Sequence, residues 1–348
     1  MNAIDLVELG YVPYPSELAW RQAMMLPITR YLDRTGVRQR TYSLGPQGPA
    51  DAYGSEGDEK EVTAAVGAEW QRYSLAERQA MIEAVRAPGI ESTLQLLGRL
   101  PETDEAEKVG FADAPFVVIH PLAHPPAVFT VLSRTRTRID RSGRALWRKL
   151  AGHLSAGCRL SGRPSNPDSS EVDCVLTPDG DIAHAQGAAC EGARREYLRT
   201  AVRDMERART RRGRTAPHVA LEMWKGLYLG QWSLVDHFDS DGRRYLLARR
   251  NSGPGRTGGP LQRRQAQVLF HVAAGLSNKE VAHKLGISES TVGTHLSRAL
   301  QAIGLRSRID WIRASATFDS VLDSLNAALP HTPQCVETRT AQHHAAFR

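Results

Sequence analysis

The sequence is poor in cysteine: 348 residues carry four, Cys158, Cys174, Cys190 and Cys335. They are too few and too widely spaced for a disulfide framework, and none forms the CxxC pair of a structural zinc site. No apolar run approaches the roughly 18 residues needed to span a bilayer. The opening MNAIDLVELGYVPYPSELAW lacks the basic stretch and apolar core of a secretion signal. A cytoplasmic protein with no membrane partner is the expectation. Chemical motifs are missing too. There is no phosphate-cradling glycine loop, no GxSxG and no HExxH, which argues against nucleotide hydrolysis, esterase chemistry and zinc proteolysis. The start also lacks the clustered acidic residues and strand-end aspartate of a phospho-acceptor receiver. His120 and His124 lie four apart, but Pro121, Pro125 and Pro126 forbid the helix that would aim both at one metal. Asp236, His237 and Asp239 stand together, yet any chain of this length offers such sets. No catalytic residue, metal or cofactor is therefore expected, and the chain reads as something other than an enzyme.

Charge of one sign is what the chain does have. The formal charge is +7 and the pI about 9.4, a balance that favours a polyanionic partner. Between positions 261 and 314 stand eight basic residues (Arg263, Arg264, Lys279, Lys284, Arg298, Arg306, Arg308, Arg313) against three acidic ones (Glu280, Glu289, Asp310). A second basic cluster at 207–214 reads as a solvated helix end. The length calls for two or three domains.

The most informative stretch is SNKEVAHKLGISESTVGTHLSRAL, residues 277–300. It divides at Gly286, which tolerates the left-handed backbone needed to leave one helix and turn into the next. Before it, Val281, Ala282 and Leu285 repeat at helical spacing. After it, Ser288 is a good N-cap, and Val292, Leu296, Ala299 and Leu300 form one apolar stripe. That leaves Gly293, Thr294, Ser297, Arg298 and Gln301 facing out. Small polar residues and one arginine suit the floor of a major groove, where bulk would hold the backbone away from base edges. An ordinary helical hairpin has the same outline, so the flanks matter. Val268, Leu269, Val272, Ala273 and Leu276 give a preceding amphipathic helix closed by Gly275, and Ile303, Leu305, Ile309, Trp311 and Ile312 supply a fourth apolar piece. Four helices in about 55 residues are near the lower size for an independent core.

On these residues the stretch 261–314 resembles the LuxR-type (GerE) helix-turn-helix domain of bacterial transcription regulators. LQRRQ, 261–265, stands where that family has Leu-Thr-x-Arg-Glu, and VLFHVAAGLSNKEVAHKLGISESTVGTHLSRALQAIGLRSRIDWI follows the remaining pattern almost without gaps. The resemblance implies that 288–300, opening at Ser288, is the recognition helix. It places Gly293, Thr294 and Ser297 toward base edges and Asn278, Lys279, Ser290, Thr291 and Arg298 near phosphates. Gln262, Gln265 and Gly293 depart from the usual threonine, glutamate and lysine. The implied domain binds double-stranded DNA with fewer direct base contacts than its relatives.

The rest reads as α/β. Residues 1–158 contain a helix at 17–32 with Leu18, Met25, Ile28 and Leu32 inward, a strand at 38–44, and a polar, glycine-rich loop at 45–60. A helix follows at 62–85 with Trp70, Tyr73, Met81 and Val85 toward the core, then one at 90–100. Strands at 116–119 and 127–132 flank HPLAHPP, and a helix at 142–158 carries Leu146, Trp147, Leu150 and Leu154 on one stripe. This order is GAF-like by analogy. In 159–250, VDCVLT-PDGD-IAHAQGAA and WSLVDHF-DSDG-RRYLLAR are hairpins turned at Asp179-Gly180 and Asp241-Gly242, enclosing helices at 192–209 and 218–229. Their order and the Pro178-Asp179-Gly180 turn resemble a PAS module. The stripe Leu198, Ala201, Val202, Met205 and Ala208 could pack against a second subunit. Residues 251–260, within NSGPGRTGGPLQ, form a linker; 261–320 form the DNA-binding domain; 330–348 form a disordered tail. The fold class is thus multidomain, with α/β (α+β) sensor-like N-terminal modules and an all-α four-helix C-terminal domain. The expected function is a signal- or partner-controlled transcription regulator. It binds DNA as a homodimer on paired half-sites, takes a small-molecule ligand or a protein partner at the N-terminal modules, and contacts RNA polymerase. The alternative is a protein-interaction module whose helical C-terminus binds a protein instead of DNA.

Overall fold

The computed structural model describes residues 1–32, 38–45, 47–55, 57–86, 88–100, 110–120, 125–158, 160–161, 172–224, 232–238, 241–250, 263–303 and 307–317. The linker 251–260 and the tail 330–348 lie outside them. Among the described residues, no helix is long and apolar enough to cross a membrane.

Helix α1 (Ala3–Gly10) starts at a capping box: the Asn2 side chain accepts from the Ile4 and Asp5 amides, and the Asp5 carboxylate accepts from the Asn2 amide. Helix α2 (Glu17–Leu32) has the predicted span but buries a different face. Trp20, Met24 and Ile28 are inside, whereas Leu18 is 36% exposed and Met25 and Leu32 are half-buried. The indole decides the rotation, because Trp20 Nε1 donates to the Gly10 carbonyl at 2.7 Å and its bulk is wholly buried.

An antiparallel sheet follows, ordered β2-β1-β5-β4-β3. Its strands are β1 (Arg38–Gly45), β2 (Gly48–Gly54), β3 (Gly89–Ser92), β4 (Pro115–Ile119) and β5 (Ala127–Leu132). Residues 45–60, predicted as loop, contain β2, which pairs with β1. The helix predicted at 90–100 is instead β3 and the short α5 (Thr93–Leu97). A buried carboxylate explains this: Asp113 accepts from the Ser92 hydroxyl and the Leu94 amide, and Gly89–Ser92 pairs with β4. The continuous helix predicted at 62–85 is two, α3 (Glu59–Gln71) and α4 (Leu75–Ala84), because Ser74 and Glu77 form a capping box in the middle. Trp70, Tyr73, Met81 and Val85 are buried as predicted, beside Tyr42, Leu44, Phe116, Val118 and Val128 on one face of the sheet.

The other face, with Val117, Ile119, Ala127 and Phe129, belongs to a second cluster organised by α6 (Arg141–Cys158). Trp147, Leu150 and Leu154 are buried on the predicted stripe, with Leu146 half-buried, and every residue from Leu150 to Cys158 is buried. A helix buried all round must be enclosed by protein. The enclosing elements include α1, α2, β3 and β4. They also include α9 (Pro217–Met223), which belongs to the second α/β region. There an antiparallel sheet ordered β7-β6-β9-β8 comprises β6 (Val172–Leu176), β7 (Ile182–Ala185), β8 (Trp232–Phe238) and β9 (Arg244–Arg250). Between its hairpins run α7 (Gly192–Arg209), the single turn α8 (Arg211–Arg214) and α9. Both predicted Asp-Gly turns are present, with positive φ at Gly180 and Gly242. The helix predicted to run to 229 ends at Met223, where Trp224 is the C-cap and its amide donates to the Ala220 carbonyl; 225–229 lie outside the described residues. One expectation is corrected: Leu198, Val202, Met205 and Ala208 of α7 are buried within the chain, in the same cluster as Leu234, Leu246 and Ala248, so this stripe is not free for a second subunit. The cluster continues from the first region into the second without a break.

Charged groups close the seam between the two regions. Arg209 pairs with Glu8, Glu206 and Asp236, Arg214 with Asp5 and Glu8, and Arg244 with Glu206 and Asp236. Beneath them His153 of α6 sits fully buried, its Nε2 3.0 Å from the Leu221 carbonyl of α9 and its Nδ1 3.4 Å from the Tyr11 hydroxyl.

Two outcomes follow from this core. Trp147 is 6% exposed and meets Tyr31 edge-to-face with ring centroids 5.3 Å apart; Trp147→Ala is expected to cost about 3–5 kcal/mol in denaturant unfolding. For His153, burial pushes the imidazole from its ordinary 6.5 down to about 4. The unfolded chain takes up this proton below 6.5 while the folded chain resists until near 4, so stability falls as pH drops through that window. The His153→Gln protein, measured over the same window, is expected to lose that part of the slope.

Candidate nucleic-acid interface

The last described unit consists of α10 (Arg263–Ala273), α11 (Asn278–Leu285), α12 (Glu289–Ile303) and α13 (Arg308–Thr317). Local sequence fixes the boundaries from the end of α10 to the start of α12. Gly275, at φ +84°, ends the first helix, and Ser277 starts the second as a capping box with Glu280. The Ser277 amide and hydroxyl both donate to Glu280 at 2.7 Å and hold its carboxyl below the usual range. Gly286 adopts the left-handed conformation at φ +63°, as the sequence requires, and its amide donates to the Ala282 carbonyl. Ser288 caps α12: its oxygen accepts from the Thr291 amide at 3.1 Å and lies 2.8 Å from the hydroxyls of both Ser290 and Thr291. Thr294 returns a hydroxyl bond to the Ser290 carbonyl at 3.0 Å.

Burial then sorts the residues of α12. Val292, Leu296, Ala299 and Leu300 are inside, with Val281 and Ala282 of α11 and Val268, Leu269 and Val272 of α10. Ser288, Ser290, Thr294, Ser297 and Arg298 are exposed, and Thr291 and Gly293 half-buried. Positions 290, 294, 297 and 298 recur at helical spacing, so they share one outward face. On α11, Lys279 is exposed and Asn278 half-buried. The candidate residues are therefore split: the outer face of α12 gathers Ser290, Thr294, Ser297 and Arg298, and Asn278 is turned to a different task. Its Oδ1 accepts from the Arg308 guanidinium at 2.7 Å, and the same guanidinium donates to the Leu276 carbonyl.

Arg308 was legible in the sequence only as one more positive charge. Its role is to tie α13 to the turn before α11 across thirty positions, and no local spacing encodes that contact. Trp311 makes a second tie, donating from Nε1 to the Leu269 carbonyl at 2.7 Å while 1% exposed. Gln265 is buried on α10, and Gln262 lies outside the described residues. Outside this unit, Asp236 is held by Arg209 and Arg244, while His124 and Asp239 lie outside the described residues. Among the described residues, no group of His, Cys, Asp and Glu could hold a metal.

The comparison with known proteins converges on this unit. Residues 259–315 match the family model of bacterial regulatory proteins, luxR family (GerE). The nitrate/nitrite response regulator protein NarP of Escherichia coli K12 is 45% identical over 49 residues, which are 14% of this chain and 23% of that protein. The uncharacterized transcriptional regulatory protein YxjL of Bacillus subtilis 168 is also 45% identical over 49 residues, 14% of this chain and 22% of that protein. The HTH-type transcriptional regulator MalT of Vibrio campbellii is 30% identical over 91 residues, 26% of this chain and 10% of that protein. The chain thus spans less than a quarter of the length of each of these relatives.

A glycine in the middle of the exposed helix face has a measurable consequence. A Cβ at Gly293 would meet nothing within 4 Å, so Gly293→Ala is expected to stabilise this unit by up to about 1 kcal/mol through helix propensity alone. An unchanged or lowered melting temperature would contradict that.

Proposed function

Residues 259–315 form a LuxR-family helix-turn-helix domain, and from that premise we propose that the chain is a cytoplasmic, DNA-binding transcription regulator. The observation that carries the reading is the coincidence of the family match with an exposed face of α12 made of two serines, a threonine and an arginine. Such a face lets the helix backbone approach the floor of a major groove. In this reading Gly293, Thr294 and Ser297 face base edges, while Ser288, Ser290, Thr291, Lys279 and Arg298 lie along phosphates, and Asn278 acts through its bond to Arg308. The protein binds as a dimer on paired half-sites. Because the α7 stripe is used inside the chain, the dimer surface is formed elsewhere.

Residues 1–158 and 159–250 then serve as sensor-like modules, joined by the linker 251–260 to the DNA-binding domain 261–320. The packing of α13 against α6 supports a route for control, since a signal that shifts α6 reaches the domain directly. A protein partner or a small molecule supplies that signal. Against the first sheet, a cavity of about 20 Å³ lies among Tyr42, Trp70, Tyr73 and Met81. That is room for about one water, so a small molecule entering there has to displace α3 or α4. Contact with RNA polymerase completes the reading. The protein-interaction alternative is not favoured, because the matched relatives are named as regulators.

Arg298 is the test. It is exposed on α12, and Arg298→Ala is expected to weaken binding to all duplexes alike and to reduce the slope of log affinity against log salt by about one unit. Equal affinity and slope for the two proteins, read by fluorescence anisotropy over a salt series, would remove Arg298 from the interface.

A further inference from the structure

A second basic surface lies on the N-terminal half of the chain, where the residues around the start of α6 read SRTRTRIDRSGRALWRK, positions 133–149. Seven of them are basic and one, Asp140, is acidic. Alternate residues of the first part are pinned to the protein body. Ser133 exchanges bonds with Thr135, its hydroxyl accepting from the amide at 3.1 Å and donating to the carbonyl at 3.0 Å. The Thr137 amide donates to the buried Asp113 carboxylate at 2.8 Å, and the Ile139 amide donates to the Gln95 side chain at 3.3 Å. The residues between the pins, Arg134, Arg136 and Arg138, are exposed, and so are Arg141 and Arg148 on α6.

Intramolecular bonding does not account for these five arginines. Their two neighbours are occupied, Arg144 with Glu91 at 2.9 Å and Lys149 with Glu222. Asp140 turns its carboxylate to the Gly143 amide at 2.7 Å, as a helix start demands. None of the five has an ion-pair or hydrogen-bond partner among the described residues. Folding does not account for them either. α6 has no acidic residue in its first turn, and Arg141 there, a cation at a helix N-terminus, opposes the helix dipole. Like charges held side by side also cost stability. A rail that works against the fold and lacks internal counter-charge calls for an external one.

We propose that Arg134, Arg136, Arg138, Arg141 and Arg148 form a second DNA-contact surface, which grips the phosphates of duplex flanking the site held by α12. The inference rests on the proposed DNA-binding function of the helix-turn-helix domain. Position favours a duplex over an acidic protein, because α6, which carries the rail at its start, is also the helix against which α13 packs. The 18-residue α6 is about 27 Å long, so its two rail arginines, Arg141 and Arg148, lie within about one turn of duplex, roughly 34 Å, of the contact with α13. Exposed arginines with no fixed partner suit phosphates, which position a protein on DNA without reading sequence. The rail therefore adds affinity and lengthens the footprint while leaving base preference to α12.

The experiment compares the full-length parent with the triple variant Arg134→Gln, Arg136→Gln, Arg138→Gln on random-sequence duplexes of about 15 and about 40 base pairs across a salt series. On the long duplex the variant is expected to bind about tenfold more weakly, with a log–log salt slope shallower by about 2 to 3. On the short duplex it is expected to match the parent, and its melting temperature is expected to equal or exceed the parent's. If the variant matches the parent on both duplexes while Arg298→Ala still weakens binding, the rail is overturned and the helix-turn-helix reading stands. Equal losses on both lengths would mean a diffuse charge effect and would also overturn it. A parent that holds neither duplex at low salt would sink both readings, and retention of polyglutamate by that parent would assign the arginines to an acidic protein.

Discussion

The packing of α1 onto α6 is the constraint on which the rest of the structure depends. A Cβ built on Gly157 would lie 2.2 Å from the Gly10 carbonyl oxygen, and one on Gly10 would lie 2.9 Å from Leu154. Backbone therefore meets backbone at the crossing, with no space for any side chain. The approach brings Trp20 within 2.7 Å of the Gly10 carbonyl and Tyr11 beside His153. Through His153 and Leu221 it draws the second α/β region onto the same helix. A bulkier residue at position 157 would part α1 from α6 and loosen both sheets together, because the core is one continuous cluster and interiors at close-packed density transmit displacement.

Polar groups at the edge of this core act as locators. The Asp113 carboxylate gathers the Ser92 hydroxyl with the Leu94, Ala114 and Thr137 amides, and so fixes the start of α5 and the segment leading into α6. Buried carboxylates are tolerated only when hydrogen-bonded throughout, and here the satisfaction of one side chain sets the course of three chain segments. The Arg209, Arg214 and Arg244 network does the same at the seam between α1, α7 and the β8–β9 hairpin. Its groups are partly exposed, so the network orients these elements more than it stabilises them.

What could be read from the sequence follows the range of the interactions concerned. The Asp-Gly hairpin turns, the Gly286 turn and the stripes of α6 and α12 are local, and each is present where spacing and turn chemistry put it. Other elements depend on contacts that local spacing does not encode. β3 pairs with a strand distant in sequence, and β2, beside the predicted β1, is hidden behind its own polar composition; Gly48 explains the disguise, since at φ +114° its absent Cβ leaves room for the Trp70 indole, so a glycine that reads as loop serves a strand. On α2 the predicted Ile28 is buried and Met25 and Leu32 pack against the core, but Leu18 yields to Trp20, whose indole wins by its size and its bond to Gly10. In the candidate site the apolar inner stripe and the polar outer face of α12 were legible, whereas the Arg308 clamp on Asn278 was not, since its partners are brought together only by the closed helical unit.

The same distinction separates the last two helices. α12 is held by short-range bonds, Ser288 to Thr291 and Thr294 to Ser290, together with the stripe it buries; its shape is set within its own domain. α13 is held differently, by Arg308 and Trp311 on one side and by packing against α6 on the other. An element that two bodies share is biased by both, so any event that alters α6 changes the free energy of α13 in its present position by the same amount as α13 changes that event. α6 itself is enclosed by both sheets' regions and cannot shift alone. Any displacement of α6 is therefore expected to be concerted: the two α/β regions move with it or not at all, and α13 meets their common position rather than either one alone.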